Sequence, residues 1–292
     1  MFFYKIKNKI KTVSKNYIIH CKYENQKRKA LKIPDNQQIS NGIPNLKTAI
    51  HFHVFYTELL DEIYSYVSHI HSDFSLFITV VNNQDYEYVE KFFSEKKYNF
   101  SLKILKVENK GRDIYPFYLA LHECYKDFDL IAHFHTKKSL HTDFGDIWRK
   151  YLYDNILGSN YLFDNIITYF ENHKTAGFLV PPVVPKKKVV EAYYSFKDNE
   201  IPYKDKIEIA LSKFGIPLDA LYASKYNKEF PCGNMFVART EAIKQFFSTK
   251  LNDNDFPKEE GQLTDTLQHY VELMWKYMTD YNNFEYIEIL NQ

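Results

Sequence analysis

The sequence predicts an α/β domain built on a mainly parallel sheet. Short apolar runs rich in β-branched and aromatic residues alternate with segments of helical periodicity from Ala49 to His135. The helical segments are long enough to carry a crossover between parallel strands, as βαβ units require. Neither an internal repeat nor a second apolar core is visible, so one elaborated domain follows.

The elements fall in order along the chain. Ala49–Tyr56 reads as a strand, Leu59–His69 as a helix and Ser75–Val81 as a strand. Asp85–Lys96 reads as a helix, Ser101–Val107 as a third strand, Asp113–Tyr125 as a helix and Leu130–His135 as a fourth strand. Helices are then expected at Asp143–Tyr153 and Asn160–Asn172, followed by an apolar run from Thr175 that stops at Pro181-Pro182. Residues 183–228 are irregular and charged, and read as a helical insertion covering a cleft. Phe230–Arg239 is a turn plus a strand, and Glu241–Thr249 and Thr264–Tyr277 are helices.

Composition narrows the class. Of 292 residues, 45% are apolar and 17% aromatic, which excludes a disordered chain; eight glycines exclude Gly-rich low complexity. No apolar run approaches the ~20 residues that cross a bilayer. Cys21, Cys124 and Cys232 are odd in number and far apart, against a disulfide scaffold or a zinc site and in keeping with a reducing compartment.

The formal charge of +1 conceals an asymmetry. Residues 1–33 hold ten Lys or Arg and one Glu, net +9, which leaves 28 bases and 36 acids, net −8, in the remainder. Phe2, Phe3, Ile6, Ile10, Val13, Tyr17 and Ile18 recur near helical spacing between lysines. A basic amphipathic arm on an anionic inner leaflet is one reading, at ~1 kcal/mol per Lys near such a surface. A solvated tail, or a helix packed on the body, is the other. The lysine-interrupted pattern lacks the features of a secretory signal. Nucleic acid is not expected as a partner, because the positive charge stops at the arm. Residues 1–44 are therefore expected to form arm and linker, and 45–292 the domain.

Three segments fall where ligands bind in open α/β sheets, beyond the carboxyl ends of strands. In Glu108-Asn109-Lys110-Gly111-Arg112-Asp113, Gly111 permits a tight turn and Arg112 offers a planar fork for a diphosphate. Asp113 is placed to cap the next helix, which is its simpler explanation. In His133-Phe134-His135-Thr136-Lys137-Lys138, the two histidines share a strand face, and the hydroxyl and lysines suit an anionic leaving group. His51-x-His53 and His69-x-His71 repeat that spacing and read better as core or edge histidines than as metal ligands. In the third segment, Asp253 to Asp265, Thr264 and Asp265 suit a helix cap, and Glu259 or Glu260 a general base. Asp265 and His269 are one turn apart.

Taken in order, HFHVFY, ENKGRDIYPF, DLIAHFHTKKS, GDIWRKYLYDNILGS, FPCGNMFVAR and DFPKEEGQLTDTLQHYVE resemble the rhamnan synthesis F protein family over roughly residues 48–275. The resemblance implies a GT-A-like fold and a glycosyltransferase of bacterial surface-polysaccharide assembly, with rhamnosyl transfer from a dTDP-sugar as the eponymous activity. It carries over onto Asn109, Gly111, Arg112, Asp113, His135, Thr136, Lys137, Lys138, Trp148 and Arg149. It continues at Pro231, Gly233, Met235, Glu260, Gln262, Asp265, Thr266, Leu267 and His269. Thr264-Asp265-Thr266 departs from the family's usual Asp-Gly-Thr, and Cys232 replaces a smaller residue.

The resulting expectation is a cytoplasmic, membrane-peripheral enzyme moving a sugar, rhamnose as first guess, from a nucleotide-diphosphate donor to a growing or lipid-linked glycan. Inversion is the expected stereochemistry. Donor contacts are expected from Asn109, Gly111, Arg112, Asp113, His133, His135, Thr136, Lys137, Lys138 and Arg149. Acceptor contacts are expected from Trp148, Gly233, Asn234, Met235 and His269, with Trp148 read either as a sugar platform or as a core anchor. Glu260 is the expected base, with Glu259 as its understudy and Asp265 beside them. The Asp-x-Asp metal motif of the fold gives way here to His133-x-His135-Thr-Lys-Lys, so no cofactor and at most a weak divalent-cation dependence are expected. The alternatives are a noncatalytic glycan-binding subunit and a histidine-metal hydrolase.

Overall fold

A computed structural model describes residues 19–39, 42–136, 145–198, 204–219, 229–261 and 265–292. Eight strands form one sheet: β1 (Leu31–Ile33), β2 (Thr48–His53), β3 (Phe74–Val80), β4 (Ser101–Lys106), β5 (Leu130–His135), β6 (Ala176–Val180), β7 (Phe236–Arg239) and β8 (Glu285–Asn291). They lie side by side in the order β1-β8-β6-β7-β5-β2-β3-β4. Among the described strands β7 alone runs antiparallel to its neighbours, β5 and β6. The mainly parallel, helix-flanked α/β architecture expected from the sequence is present.

The central strands serve two cores, because alternate side chains point to opposite faces. Ile50, Phe52, Ala132 and Phe134 face the helices Leu60–Val67, Asn83–Ser94, Gly145–Ile156 and Leu162–Asn172. Ala49, Phe77 and Ile131 face Ile114–Leu121, Lys204–Lys213, Lys244–Ser248 and Leu267–Tyr281. Burial on both faces explains why the central strands read as continuous apolar runs. His51 and His133, on the second face, are therefore sealed beneath Phe117, whose ring stacks on His133 at 4.3 Å.

From Ile19 onward the arm follows the second of its two readings, a helix packed on the body. Leu31–Ile33 pairs in parallel with β8, and Ile33 is buried. The helical residues 19–29 bury Ile19 and Tyr23 against Val183, Val189, Val190, Tyr193 and Cys232. Asp35, expected in a linker, accepts hydrogen bonds from the backbone of Ser159 and Asn160 and from Asn291 Nδ2. Residues 19–39 thus belong to the domain, because their few apolar side chains find a cleft beside β8. The apolar positions expected to touch lipid, Phe2 to Ile18, lie outside the described residues.

One other expectation shifts, and the expected helical insertion is present. The helix after β4 spans Ile114–Leu121 and yields to a single turn at Tyr125–Asp127. The insertion supplies helices Lys187–Asp198 and Lys204–Lys213, the second packing Ile207, Ala210 and Leu211 into the same core as Val271 and Met274. No described helix is long and apolar enough to cross a membrane.

Candidate functional site

The strand order reverses between β2 and β5: β3 and β4 continue outward from β2, while the chain resumes on the other side at β5. A crevice opens at the carboxyl ends of such a pair, where connecting loops diverge. An open hollow lies there. Asp113, His135, Trp148 and Arg149 line it, together with Gly233, Asn234 and Met235. Gly145, Leu152 and Glu272 complete the lining. Seven expected site residues are thus brought together from four separate segments.

Two left-handed turns shape the walls. Gly111 and Arg112 have φ of 63° and 54°, and Gly233 and Asn234 have φ of 101° and 52°. A Cβ on Gly233 would stand 2.7 Å from Leu152 Cδ1 and 2.9 Å from Trp148 Nε1. Glycine there lets the backbone approach the indole closely, and Trp148 Nε1 donates to the Cys232 carbonyl at 3.3 Å. Trp148 is half-buried, lines the hollow and also packs against two of the apolar clusters, so both readings of its indole stay open.

Asp113 is the chemically richest lining group. Its side chain makes no capping bond to the helix Ile114–Leu121, contrary to its simpler explanation. Oδ2 instead accepts from His133 Nε2 at 3.1 Å and from Asn234 Nδ2 at 2.6 Å. Asn234 in turn accepts from Trp275 Nε1 at 2.9 Å. The positive φ at Arg112 turns the chain so that the carboxylate faces β5 rather than its own helix.

Behind Asp113 runs a row of buried hydrogen bonds. His133 Nδ1 meets His51 Nδ1 at 3.0 Å, His51 Nε2 meets Thr79 Oγ1 at 3.0 Å, and the same hydroxyl meets His53 Nδ1 at 3.0 Å. Burial, then the neighbouring His133 and His53, hold His51 well below the ordinary histidine value. Burial likewise brings His53 down to about 4. His135 Nε2 donates to the Gly233 carbonyl at 2.8 Å and pins that turn.

Several expected site residues sit elsewhere. His133 is fully buried and reaches the hollow only through Asp113. Thr136 is buried, its hydroxyl accepting from the backbone N–H of Phe55 and Tyr56 at 2.9 and 3.0 Å, so it holds the chain leaving β2. Arg112 forms an ion pair with Glu259 across 3.5 Å instead of lining the hollow. Glu259 also accepts from the Gly261 amide. Asn109 accepts from the Glu259 backbone N–H, and the exposed Glu260 and Asp265 are absent from the described lining. His269 Nδ1 bonds Thr266 Oγ1 at 2.6 Å. Lys137, Lys138, Gln262 and Thr264 lie outside the described residues.

Arg149 lines the hollow already paired. Its Nε and Nη2 meet the Glu62 carboxylate at 3.3 and 3.0 Å, and Nη1 meets Asp146 at 2.6 Å. Glu272 and Leu152 join the lining without a signal that sequence spacing singles out; Gln268, Glu272 and Trp275 share one helix face, so the period alone was the available clue.

His133 has no ring nitrogen left for a metal. His133 uses both ring nitrogens within the protein, and His135 donates through Nε2. Among the described residues no group of three or more His, Cys, Asp or Glu side chains has the geometry to hold an ion.

Fold and hollow define an α/β protein with an open crevice at the point where strand order reverses. The family model for rhamnan synthesis protein F matches residues 8–284, and the chain belongs to that family. The match takes in most of the basic arm as well as the six motifs. Two Xanthomonas campestris pv. campestris strains each contribute a relative, the uncharacterized protein WxcX, 27% identical over 256 residues. Each alignment covers 84% of this chain and 33% of WxcX, so the chain spans about a third of the length of these relatives. Among solved structures, S. aureus TarS is 13% identical with a TM-score of 0.37, over 80% of this chain and 55% of that one. The mannosyltransferase Ktr4p of S. cerevisiae is 8% identical with a TM-score of 0.36, over 92% and 72%.

Proposed function

We propose that the chain is a glycosyltransferase domain of surface-polysaccharide synthesis that binds a nucleotide-sugar donor and a glycan acceptor in the hollow beyond β2 and β5. The observation that carries this reading is the convergence there of a clamped carboxylate, Asp113, an indole, Trp148, and the close-approach turn Gly233-Asn234. A sugar offers hydroxyls to the first and an apolar ring face to the second. Membership of the rhamnan synthesis protein F family supports the polysaccharide context. Rhamnose from a dTDP donor is the first sugar to test, with inversion at the anomeric carbon.

Transfer without an obligatory divalent cation is part of the proposal, because the histidines at the end of β5 are engaged by protein partners. Complete loss of transfer in EDTA, restored by Mn²⁺ or Mg²⁺, contradicts it. The base is sought first among carboxylates of the hollow rather than at the exposed Glu260 and Asp265. A cytoplasmic, membrane-peripheral location rests on the exposed Lys27, Arg28 and Lys29 of the helical residues 19–29. Changing these three to Ser is expected to weaken flotation with anionic vesicles while leaving donor binding intact; unchanged flotation removes this surface from the proposal.

The activity is tested by a thermal-shift screen of dTDP, UDP, GDP and CMP sugars, followed by transfer to a lipid-linked acceptor. One nucleotide is expected to raise the midpoint by mass action. No shift with any of them at millimolar concentration overturns the reading.

A further inference from the structure

The buried row behind Asp113 has a direction. A carboxylate oxygen only accepts, so His133 Nε2 carries its hydrogen toward Asp113. With one hydrogen per ring, His133 Nδ1 is then an acceptor, and His51 Nδ1 is the donor that meets it. His51 Nε2 is left to accept from the Thr79 hydroxyl, and Thr79 Oγ1 accepts in turn from His53 Nδ1. Every link is satisfied in one sense only, from His53 through Thr79, His51 and His133 to the wall of the hollow. All four side chains are at least nine-tenths buried, so a broken link has no water to repair it.

We propose that Asp113 is the carboxylate that reads a hydroxyl of the donor sugar, and that His133, His51 and Thr79 are positioning residues acting through it. This rests on the glycosyltransferase reading and adds to it the group that distinguishes a nucleotide sugar from the bare nucleotide. Asn234 also holds the carboxylate, at 2.6 Å on the same oxygen that His133 meets. Two convergent donors set the plane of the carboxylate, as outer partners orient the ligands of other sites. Among the described residues, the groups around it include His51 and His53 on β2, Thr79 on β3, His133 and His135 on β5, Asn234 before β7, and Arg149 and Glu272 in the lining of the hollow.

The decisive residue is Thr79, which is fully buried on β3 and lies outside the lining of the hollow. Thr79→Val keeps its shape and removes the hydroxyl; Thr79→Ser keeps the hydroxyl. The test measures, by calorimetry, dTDP-rhamnose, UDP-glucose and GDP-mannose, each against its own nucleoside diphosphate. For the pair that binds, Thr79→Val is expected to weaken the nucleotide sugar about tenfold, the size of one lost hydrogen bond. The nucleoside diphosphate is expected to bind within about twofold of wild type, and Thr79→Ser to restore the sugar. Equal loss for both ligands, or no loss for either, overturns the proposal. Binding of none of the six by the wild type, together with no thermal shift from any dTDP, UDP, GDP or CMP sugar, overturns the glycosyltransferase reading first. Nitrogen-15 spectra of the unaltered chain test the row without any variant. They are expected to show hydrogen on His51 Nδ1 and His133 Nε2; the opposite tautomers, or an imidazolium at His133, refute it.

Discussion

Asn234 and Asp113 are 121 residues apart in sequence and joined by a 2.6 Å hydrogen bond from Asn234 Nδ2 to Asp113 Oδ2. Asn234 Oδ1 accepts from Trp275 Nε1, so one amide ties together the turn after β4, the turn before β7 and the helix Leu267–Tyr281. Asn234→Ala removes both bonds and strands a buried indole N–H. A loss of roughly 1–3 kcal/mol is expected in urea unfolding. Asn234→Asp keeps the shape but sets a second carboxyl against Asp113, and should be worse at neutral pH than at pH 4.

Gly233 and Gly111 separate binding from stability. Gly233→Ala forces a Cβ to 2.7 Å from Leu152 and 2.9 Å from the Trp148 indole, inside the hollow. Gly111→Ala meets Phe256 and Tyr115, each at 2.7 Å, away from it. Both sit at positive φ and should cost about 1–3 kcal/mol. Only Gly233→Ala is expected to abolish nucleotide-sugar binding in calorimetry.

Arg149 carries a fork satisfied by Glu62 and Asp146. Arg149→Lys cannot reproduce the paired geometry and should lower the urea midpoint. Glu62→Gln with Asp146→Asn keeps the side-chain shapes and one acceptor oxygen at each position, at the cost of one arm of the Glu62 fork, and releases the charge of Arg149 toward the hollow. Tighter binding of a nucleoside diphosphate, weakening with salt, is the expected outcome. Unchanged affinity removes Arg149 from the donor contacts.

Acid should destabilise the chain before most carboxylates titrate. His53 titrates near 4 when folded and near 6.5 when unfolded, so the unfolded chain binds the extra proton between those values. The stability this confers is present above 6.5 and lost as pH falls toward 4. His53 alone should account for about 2 kcal/mol lost by pH 5. His51 is shifted in the same direction and adds to it. Unfolding free energies at pH 7 and pH 5 check this; a flat profile refutes it.

The four strands from Ala49 to His135 and the helices between them are legible because the strands read as short apolar runs and the helices carry their own period. β1 and β8 are not: Leu-Lys-Ile is three residues inside a basic segment, and Glu285–Asn291 pairs with β6 only after the chain has folded. At the site, the turn residues Gly111 and Gly233 announce themselves by type. Asp113 does not, since an acid before a helix reads as a cap until β5 is seen behind it. His51 and His133 become neighbours through strand pairing across 82 residues, which no local spacing encodes.

The most direct measurement is equilibrium binding of dTDP-rhamnose, UDP-glucose and GDP-mannose to the wild type and to Gly233→Ala, with near-ultraviolet circular dichroism to confirm that the variant folds. One donor should bind the wild type and fail to bind the folded variant. Equal affinity in both proteins would show that the ligand sits away from the hollow beyond β2 and β5.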